Sequence, residues 1–479
     1  MGTEAGNGHT VEGHPLNGHA LNGHALIGEI LEGEIVNGSS VGTLRPSSAP
    51  VDAVLSDAAV ATSAATEVVE APPVAPVSRR PRRIVWRLLT LVTATGVVVG
   101  VQLARPVPAP ALHISVTKAS HAPGLAPVLP WPATGEAAVA VPAAGAQVQS
   151  GPEAPVPIAS LAKIMTGDLV LRDHPLAPGA QGPMIALGPA DQAEAAAELA
   201  ANATAVPVQA GETLTERQLL DGLLVHSANN FADVLARWDA GSTTAFVAKM
   251  NAAAVSLGMH STHYADTSGL DDQTIGTAAD QLLVAADAMA GQTFAAIVAQ
   301  PSVTLPIAGS LPNYVKAVGT DGIVGVKSGF TQAAMGCLVL AAQRPVAGRT
   351  VLVLAAITGQ PPPSPLDAAE QADLQLVDAA ASSLRELALV PKGATVGRVT
   401  APWAHRDVRA VASRRVTLLA WPGEAIRVSV STRGVSAGAT AGARIGTLSV
   451  WTGTHRVRVP VRLTAGVPVP SMGWRLAHG

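Results

Sequence analysis

With 479 residues, 48% of them hydrophobic and 14% charged, the chain has room for two or three domains and enough apolar material for a substantial core. The net charge of −3 hides an asymmetry: residues 391–479 hold thirteen Lys/Arg against Asp407 and Glu424, a surplus of +11 that leaves −14 for the remainder. The single Cys337 excludes an intramolecular disulfide. It lies in Gly336-Cys-Leu-Val-Leu-Ala-Ala, the pattern of a buried strand, where a packed thiol is expected.

Residues 1–78 read as a disordered tail. Glycine recurs every fifth residue from Gly8 to Gly38, and histidine follows it at His9, His14, His19 and His24. Stacked turns or a weak metal-binding tract are alternatives, but Gly-rich chain with few large apolar groups has high ordering entropy. Residues 79–105 read as a membrane anchor. Arg79-Arg-Pro-Arg-Arg83 precedes Leu88–Ala104, a run of 17 residues without charge, and Ile84-Val85-Trp86 extends it to about the ~20 residues that cross a bilayer. Five arginines precede the uncharged run and Arg105 follows it, which predicts a cytoplasmic N-terminus and an extracytoplasmic remainder. A cleaved signal peptide ending near Ala109-Pro-Ala111 is the alternative, and the long leader argues against it. Residues 106–124 contain prolines and are expected to form a spacer.

Glu136-Ala-Ala-Val-Ala-Val-Pro142 is strand-like. Pro155-Val-Pro-Ile-Ala-Ser160-Leu-Ala-Lys163-Ile-Met-Thr follows, with Leu161, Ile164, Met165 and Leu169 at helical spacing. Ser160 is thus expected as the first residue of a buried helix, with the Lys163 amine one turn away on the same face. A serine hydroxyl needs a neighbouring base to act as a nucleophile, and burial lowers a lysine pKa enough to supply one. An N-cap serine beside a snorkelling lysine would show the same text. So would Ser115-Val-Thr-Lys118, but a Pro/Gly-rich stretch follows that copy.

Asp191–Ala205 reads as helical. Thr215-Glu-Arg-Gln218 is a capping box opening a helix through Leu219, Leu220, Leu223 and Leu224. His226-Ser227-Ala228-Asn229-Asn230 then forms a bend before a helix from Phe231 to about Ala240. Ala265–Asp272 is a turn, and Thr277 starts a helix through Leu282, Leu283 and Met289. Strands are expected at Ile323–Lys327, Gly336–Ala342 and Arg349–Ile357, and a long amphipathic helix at Asp367–Leu389. Beyond Pro391 short strands follow at Val416–Ala420, Ile426–Ser431, Arg444–Trp451 and Thr454–Leu463. The last alternates arginine with valine and so predicts a half-buried strand with a basic outer face.

Ser160-x-x-Lys163, Ser227-x-Asn229 and Lys327-Ser328-Gly329 occur in that order, 67 and then 100 residues apart. Each has a plain structural reading, as turn formers or a strand-end lysine. The ordered set, with Ile158-Ala-Ser-Leu-Ala-Lys-Ile-Met-Thr166, Leu223–Asn230, Asp266-Thr-Ser-Gly-Leu270 and Gly325-Val-Lys-Ser-Gly-Phe-Thr331, resembles the low-molecular-mass D-alanyl-D-alanine carboxypeptidases of the penicillin-recognising serine peptidases. The resemblance covers residues 125–390 and extends loosely to 391–479. It implies an α/β (α+β) fold, an antiparallel sheet flanked by helices with a helical subdomain, and a smaller all-β C-terminal domain.

The resemblance also implies roles. Ser160 attacks the carbonyl between two D-alanines, Lys163 takes its proton, and Ser227 relays a proton to the leaving amine. Asn229 holds the peptide backbone. Lys327 and Ser328 face the terminal carboxylate, beside Gly329, and the amides of Ser160 and Phe330 form the oxyanion hole on an edge strand. No metal or other cofactor is implied. The implied partners are a peptidoglycan stem peptide, β-lactams as covalent inhibitors, and the membrane; nucleic acid is not among them. Two features depart from the family pattern: Ser328 stands where threonine is commoner, and Val351–Ser383 holds no Arg or Lys to help read a carboxylate. A β-lactamase, a D,D-endopeptidase and a non-catalytic wall-binding scaffold are the alternatives. A β-lactamase needs a group to activate a deacylating water, and Glu194 and Glu198 lie in an alanine-rich helical run unlike the usual loop. The basic residues 391–479 are expected to attract an anionic wall polymer, lipid headgroups or an acidic protein.

Overall fold

The computed structural model describes residues 80–478. The Gly/His repeat expected to be disordered falls on residues 1–78, outside the described residues. The first element is one 25-residue helix, α1 (Arg80–Ala104). An 18-residue window within Arg82–Ala104 has a mean hydropathy of 1.9, and Leu89, Val92 and Val98 are among the apolar side chains left exposed. At ~1.5 Å per residue this helix is long enough for the ~30 Å hydrocarbon layer.

The segment after it is not a free spacer. Residues 106–124 contribute two short strands, β1 (Ala111–Ile114) and β2 (Ala119–His121), to a sheet that the last fifth of the chain completes. The chain then turns into β3 (Glu136–Val141) and β4 (Ala146–Ser150), and through the short β5 (Val156–Pro157) to α2 (Ala162–Asp173). A mostly helical stretch follows: β6 (Met184–Ala186), α3 (Pro189–Ala200), β7 (Thr213–Thr215), α4 (Glu216–Leu224), α5 (Asn229–Ala240), α6 (Thr243–Leu257), β8 (Ile275–Gly276), α7 (Ala278–Ala288) and α8 (Gln292–Val298). A hairpin of β9 (Ser302–Leu305) and β10 (Gly309–Pro312) leads to three long strands, β11 (Ile323–Thr331), β12 (Met335–Val346) and β13 (Arg349–Gln360), and then to α9 (Pro365–Ser383).

The order β11-β12-β13-β3-β4 forms one antiparallel sheet with β11 at its edge. Both faces of β3, β12 and β13 are covered, so these strands are apolar without alternation, whereas β4 at the far edge is partly exposed. Ala138, Ala140, Val339, Ala341 and Leu354 pack with the helices of residues 159–298. Ala137, Val139, Leu340, Val353 and Ala355 face the other way, toward Leu376 and Val377 of α9. Successive strand residues point to opposite faces, which is why adjacent valines and alanines divide between two cores.

The helix expected over Asp367–Leu389 ends at Ser383. Leu384 is extended (φ −65°, ψ 142°), and β14 (Arg385–Val390) follows. The rest is β15 (Thr395–Thr400), β16 (Val408–Ala412), β17 (Val416–Ala420), β18 (Ala425–Thr432), β19 (Arg444–Thr452), β20 (His455–Leu463) and the short helix α10 (Met472–His478). β14 pairs with β17. The seven-stranded sheet runs β1-β15-β16-β20-β19-β18-β2, so the two strands that follow α1 close its opposite edges. Its core is built from residues such as Val399, Val408, Leu448, Val459 and Val461.

Candidate active site

Ser160 does not start the α-helix. It sits in a 3₁₀ turn, Ala159–Leu161, which runs directly into α2. Ala159 has φ +48°, a left-handed conformation that non-glycine residues rarely adopt. Gly269 (φ +79°) lies against it: a Cβ on Gly269 would fall 1.8 Å from the Ala159 carbonyl oxygen. The turn is thus held from behind by a segment that only glycine allows.

Lys163 is fully buried in the first turn of α2. Its Nζ donates to Ser160 Oγ at 2.9 Å, Asn229 Oδ1 at 2.6 Å and the Ser268 carbonyl at 2.8 Å. Burial pushes its pKa down to about 7, against the opposing pull of Asp266, Glu198 and Asp233. A neutral amine keeps two N–H groups and one lone pair. With the N–H groups on Asn229 and Ser268, the lone pair faces Ser160 Oγ and can receive its proton.

Asn229 reaches Lys163 because α4 and α5 bend sharply between them. The Thr215–Gln218 capping box starts α4. Ser227 takes φ +67° in the bend, buried to 4% exposure, and Asn229 opens α5. Asn230 fixes that opening turn by bonding both the N–H and the carbonyl of Val206 at 3.0 Å.

The third segment lies on the edge strand β11. Lys327 is buried, and its Nζ donates to the Ser328 carbonyl at 2.8 Å. Burial pushes its pKa well below the usual lysine value, and the nearby Lys163 charge adds to the effect. Ser328 is buried and Phe330 is half exposed. Gly329 lies close against Ser160: a Cβ there would lie 2.8 Å from the Ser160 amide nitrogen. The structure therefore brings Ser160, Lys163 and Asn229 into one hydrogen-bonded group, seats Gly329 beside Ser160, and leaves Lys327 within electrostatic reach of Lys163. The second Ser-x-x-Lys copy, Ser115 and Lys118, lies exposed between β1 and β2 in the other sheet.

The Ser268 carbonyl was not legible as a site group, since any residue supplies a main-chain oxygen. The signal was Asp266. Its carboxylate accepts from the Ser268 hydroxyl at 2.8 Å and from the amides of Gly269 at 3.0 Å and Leu270 at 2.9 Å. Asp266 thereby folds the loop that aims Ser268 at Lys163. Glu198 also belongs near the site. Burial and the neighbouring Asp233 and Glu194 push its pKa up to about 7, and its Oε2 is buried without a hydrogen-bond partner. Among the described residues no cluster of three or more metal-ligating side chains occurs.

The family profile of D-alanyl-D-alanine carboxypeptidases matches residues 132–358. The D-alanyl-D-alanine carboxypeptidase DacB2 of Mycobacterium tuberculosis is 39% identical over 173 residues, 34% of this chain and 57% of that protein. A D-alanyl-D-alanine carboxypeptidase of a Streptomyces species is 34% identical over 159 residues, 30% of this chain and 54% of its own. The chain thus spans about half the length of the curated relatives it matches. The crystal structure of the D-alanyl-D-alanine carboxypeptidase DacD from Francisella tularensis has a TM-score of 0.53 at 19% identity, over 72% of this chain and 96% of that one, a likeness of fold. With Ser160, Lys163, Asn229 and Gly329 assembled inside the matched span, the domain at residues 132–358 belongs to the D-alanyl-D-alanine carboxypeptidase family of penicillin-recognising serine peptidases.

Proposed function

We propose that the chain is a membrane-anchored serine D,D-carboxypeptidase that removes the terminal D-alanine of peptidoglycan stem peptides through an acyl-enzyme. The observation that carries the reading is the desolvated Lys163 amine, 2.9 Å from Ser160 Oγ. Uncharged Lys163 takes the hydroxyl proton as Oγ bonds to the carbonyl carbon between the two D-alanines. The amides of Ser160 and Phe330 receive the developing oxyanion. The carbon–nitrogen bond then breaks, the departing amine gains its proton through Ser227, and water later hydrolyses the ester.

Asn229 orients both Lys163 and the substrate backbone. Lys327 and Ser328 take the terminal carboxylate, whose arrival restores the positive charge that burial disfavours on Lys327. β-Lactams would acylate Ser160 by the same route and remain attached. In this reading α1 is an uncleaved anchor, with the N-terminus cytoplasmic and residues 106–479 outside. The basic residues 391–479 then face anionic material at the cell surface.

A fluorescent penicillin tests the assignment. Ser160→Ala should abolish covalent labelling and lower D-alanine release from a pentapeptide by roughly 10⁴-fold or more. Ser115→Ala should label like the wild type. Labelling that survives Ser160→Ala, or a β-lactam turned over faster than the pentapeptide, would overturn the proposal.

A further inference from the structure

β15 and β16 set Arg398 and Arg409 directly opposite each other, and β1 sets His113 opposite Arg398 on its other side. All three are exposed, while Val399 and Val408, one position along, are buried. The three thus share the outer face of the sheet. Like charges directly opposite on neighbouring strands destabilise their pairing. His405 and Arg406, from the loop joining the two strands, extend the cluster, and Asp407 is the one acidic residue against it. Arg398, His405, Arg406, Asp407 and Arg409 line a recess of about 470 Å³.

The same loop is tied to the end of α1. Trp403 Nε1 donates to the Pro468 carbonyl at 2.6 Å. Its ring meets Trp474 of α10 edge-on at 5.5 Å, and the next residue, Arg475, donates to the Leu103 carbonyl at 2.8 Å in the last turn of α1. Val469, Met472 and Leu476 stand exposed along this connection. Trp403 and Trp474 pack into the sheet's core and hold α10 to it, while the exposed apolar side chains beside the end of α1, with arginines nearby, suit the boundary between hydrocarbon and headgroups.

We propose that this recess binds the phosphate of an anionic membrane lipid, so that the C-terminal β-rich region sits on the bilayer from which α1 emerges. The inference rests on reading α1 as an anchor. A soluble wall polymer would meet the same arginines. It would have no use for the apolar side chains beside them or for the link to α1.

The test uses the full chain in neutral detergent, with bound lipid read by native mass spectrometry. Phosphatidylglycerol should bind at least about tenfold more tightly than phosphatidylcholine. Arg398→Gln with Arg409→Gln should weaken phosphatidylglycerol roughly 30-fold. Arg427→Gln with Arg456→Gln, elsewhere on the sheet, should leave it unchanged. If the first pair fails to fold, the exposed Arg406→Gln should still weaken binding about fivefold. Equal retention of the two lipids, an Arg398/Arg409 variant that binds like wild type, or displacement of phosphatidylglycerol by millimolar inorganic phosphate or a soluble polyphosphate would each overturn the headgroup site. Carbonate extraction of cell membranes reads the anchor separately. Release of the chain sinks the anchor reading, whereas retention without lipid selectivity sinks only the recess.

Discussion

Lys163 has three hydrogen-bond partners and three carboxylates within electrostatic range, and only the balance between these and burial lets its amine lose its charge near neutrality, as the proposed role of base requires. Acylation needs the uncharged amine, so its rate should rise with pH up to about 7 and then level off. Glu198 holds the ammonium form up when ionised. Glu198→Gln removes that support, so the lysine pKa falls and the acid limb moves to lower pH. Because the Glu198 carboxyl is itself pushed up to about 7, it is mostly neutral at pH 6, and the gain appears near pH 7, where the second-order rate of penicillin acylation should rise by up to about twofold over wild type. An acid limb that stays in place would remove Glu198 from the electrostatics of the site. Residue identity alone could not reveal this coupling. That Ser160, Lys163 and Asn229 meet was legible because their motifs have fixed spacings and their side chains can hydrogen-bond one another. Glu198 lay in an alanine-rich helix that looked merely structural, and only the packing of α3 against α5 carries its carboxylate toward Lys163.

At the scale of elements, the site is a junction between a strained turn, a helical bend and a sheet edge. The edge strand is placed by Gly329, which faces Ser160 across too little space for a side chain. Gly329 does not have a positive φ, so alanine is compatible with its backbone. The added Cβ would meet the Ser160 amide nitrogen at 2.8 Å and Ala159 Cβ at 3.1 Å. β11 must then move outward, which in the proposed mechanism separates the Ser160 and Phe330 amides. Gly329→Ala should therefore slow penicillin acylation about 100-fold, with little change in melting temperature. Acylation at the wild-type rate would show that β11 and the turn can shift together. The long strands β12 and β13 were readable as apolar runs because both faces of their sheet are covered. α6 escaped notice although Ser242 caps it and Gly258 ends it, since its apolar residues show little helical periodicity. β14 was read as helix because Leu384, Leu387 and Leu389 extend the apolar spacing of α9, whereas its partner β17 lies some thirty residues on and sends no local signal.

At the scale of the whole molecule, the chain enters the β-rich region, leaves it to build the peptidase domain, and returns to finish it. β1 pairs with β15 and β2 with β18, partners roughly three hundred residues away. Such short strands, Ala-Leu-His-Ile and Ala-Ser-His, show no alternation that could mark them, which is why residues 106–124 read as a tether. The pairing changes what the segment does. The amides of Ser115 and Ala122 donate to Val396 and Glu424, and Gly423 and Val428 donate back to Ala122 and Lys118. Ala122 is buried in the sheet's core and Leu112 packs on it. Replacing residues 106–124 by a Gly/Ser segment of the same length preserves the reach of a tether but removes these contacts. The loss should be about 2 kcal/mol once the ordering entropy is set against the bonds and the apolar burial. For a β-rich region of this size that lowers its melting temperature by roughly 8 °C or more. Trypsin should then cut preferentially at the arginines of β15–β20, exposed along two opened sheet edges. Penicillin labelling of Ser160 should persist, because no residue of the exchanged segment touches the peptidase site. A Gly/Ser variant that melts with the wild type and resists trypsin equally would mean that the two edge strands hold nothing together.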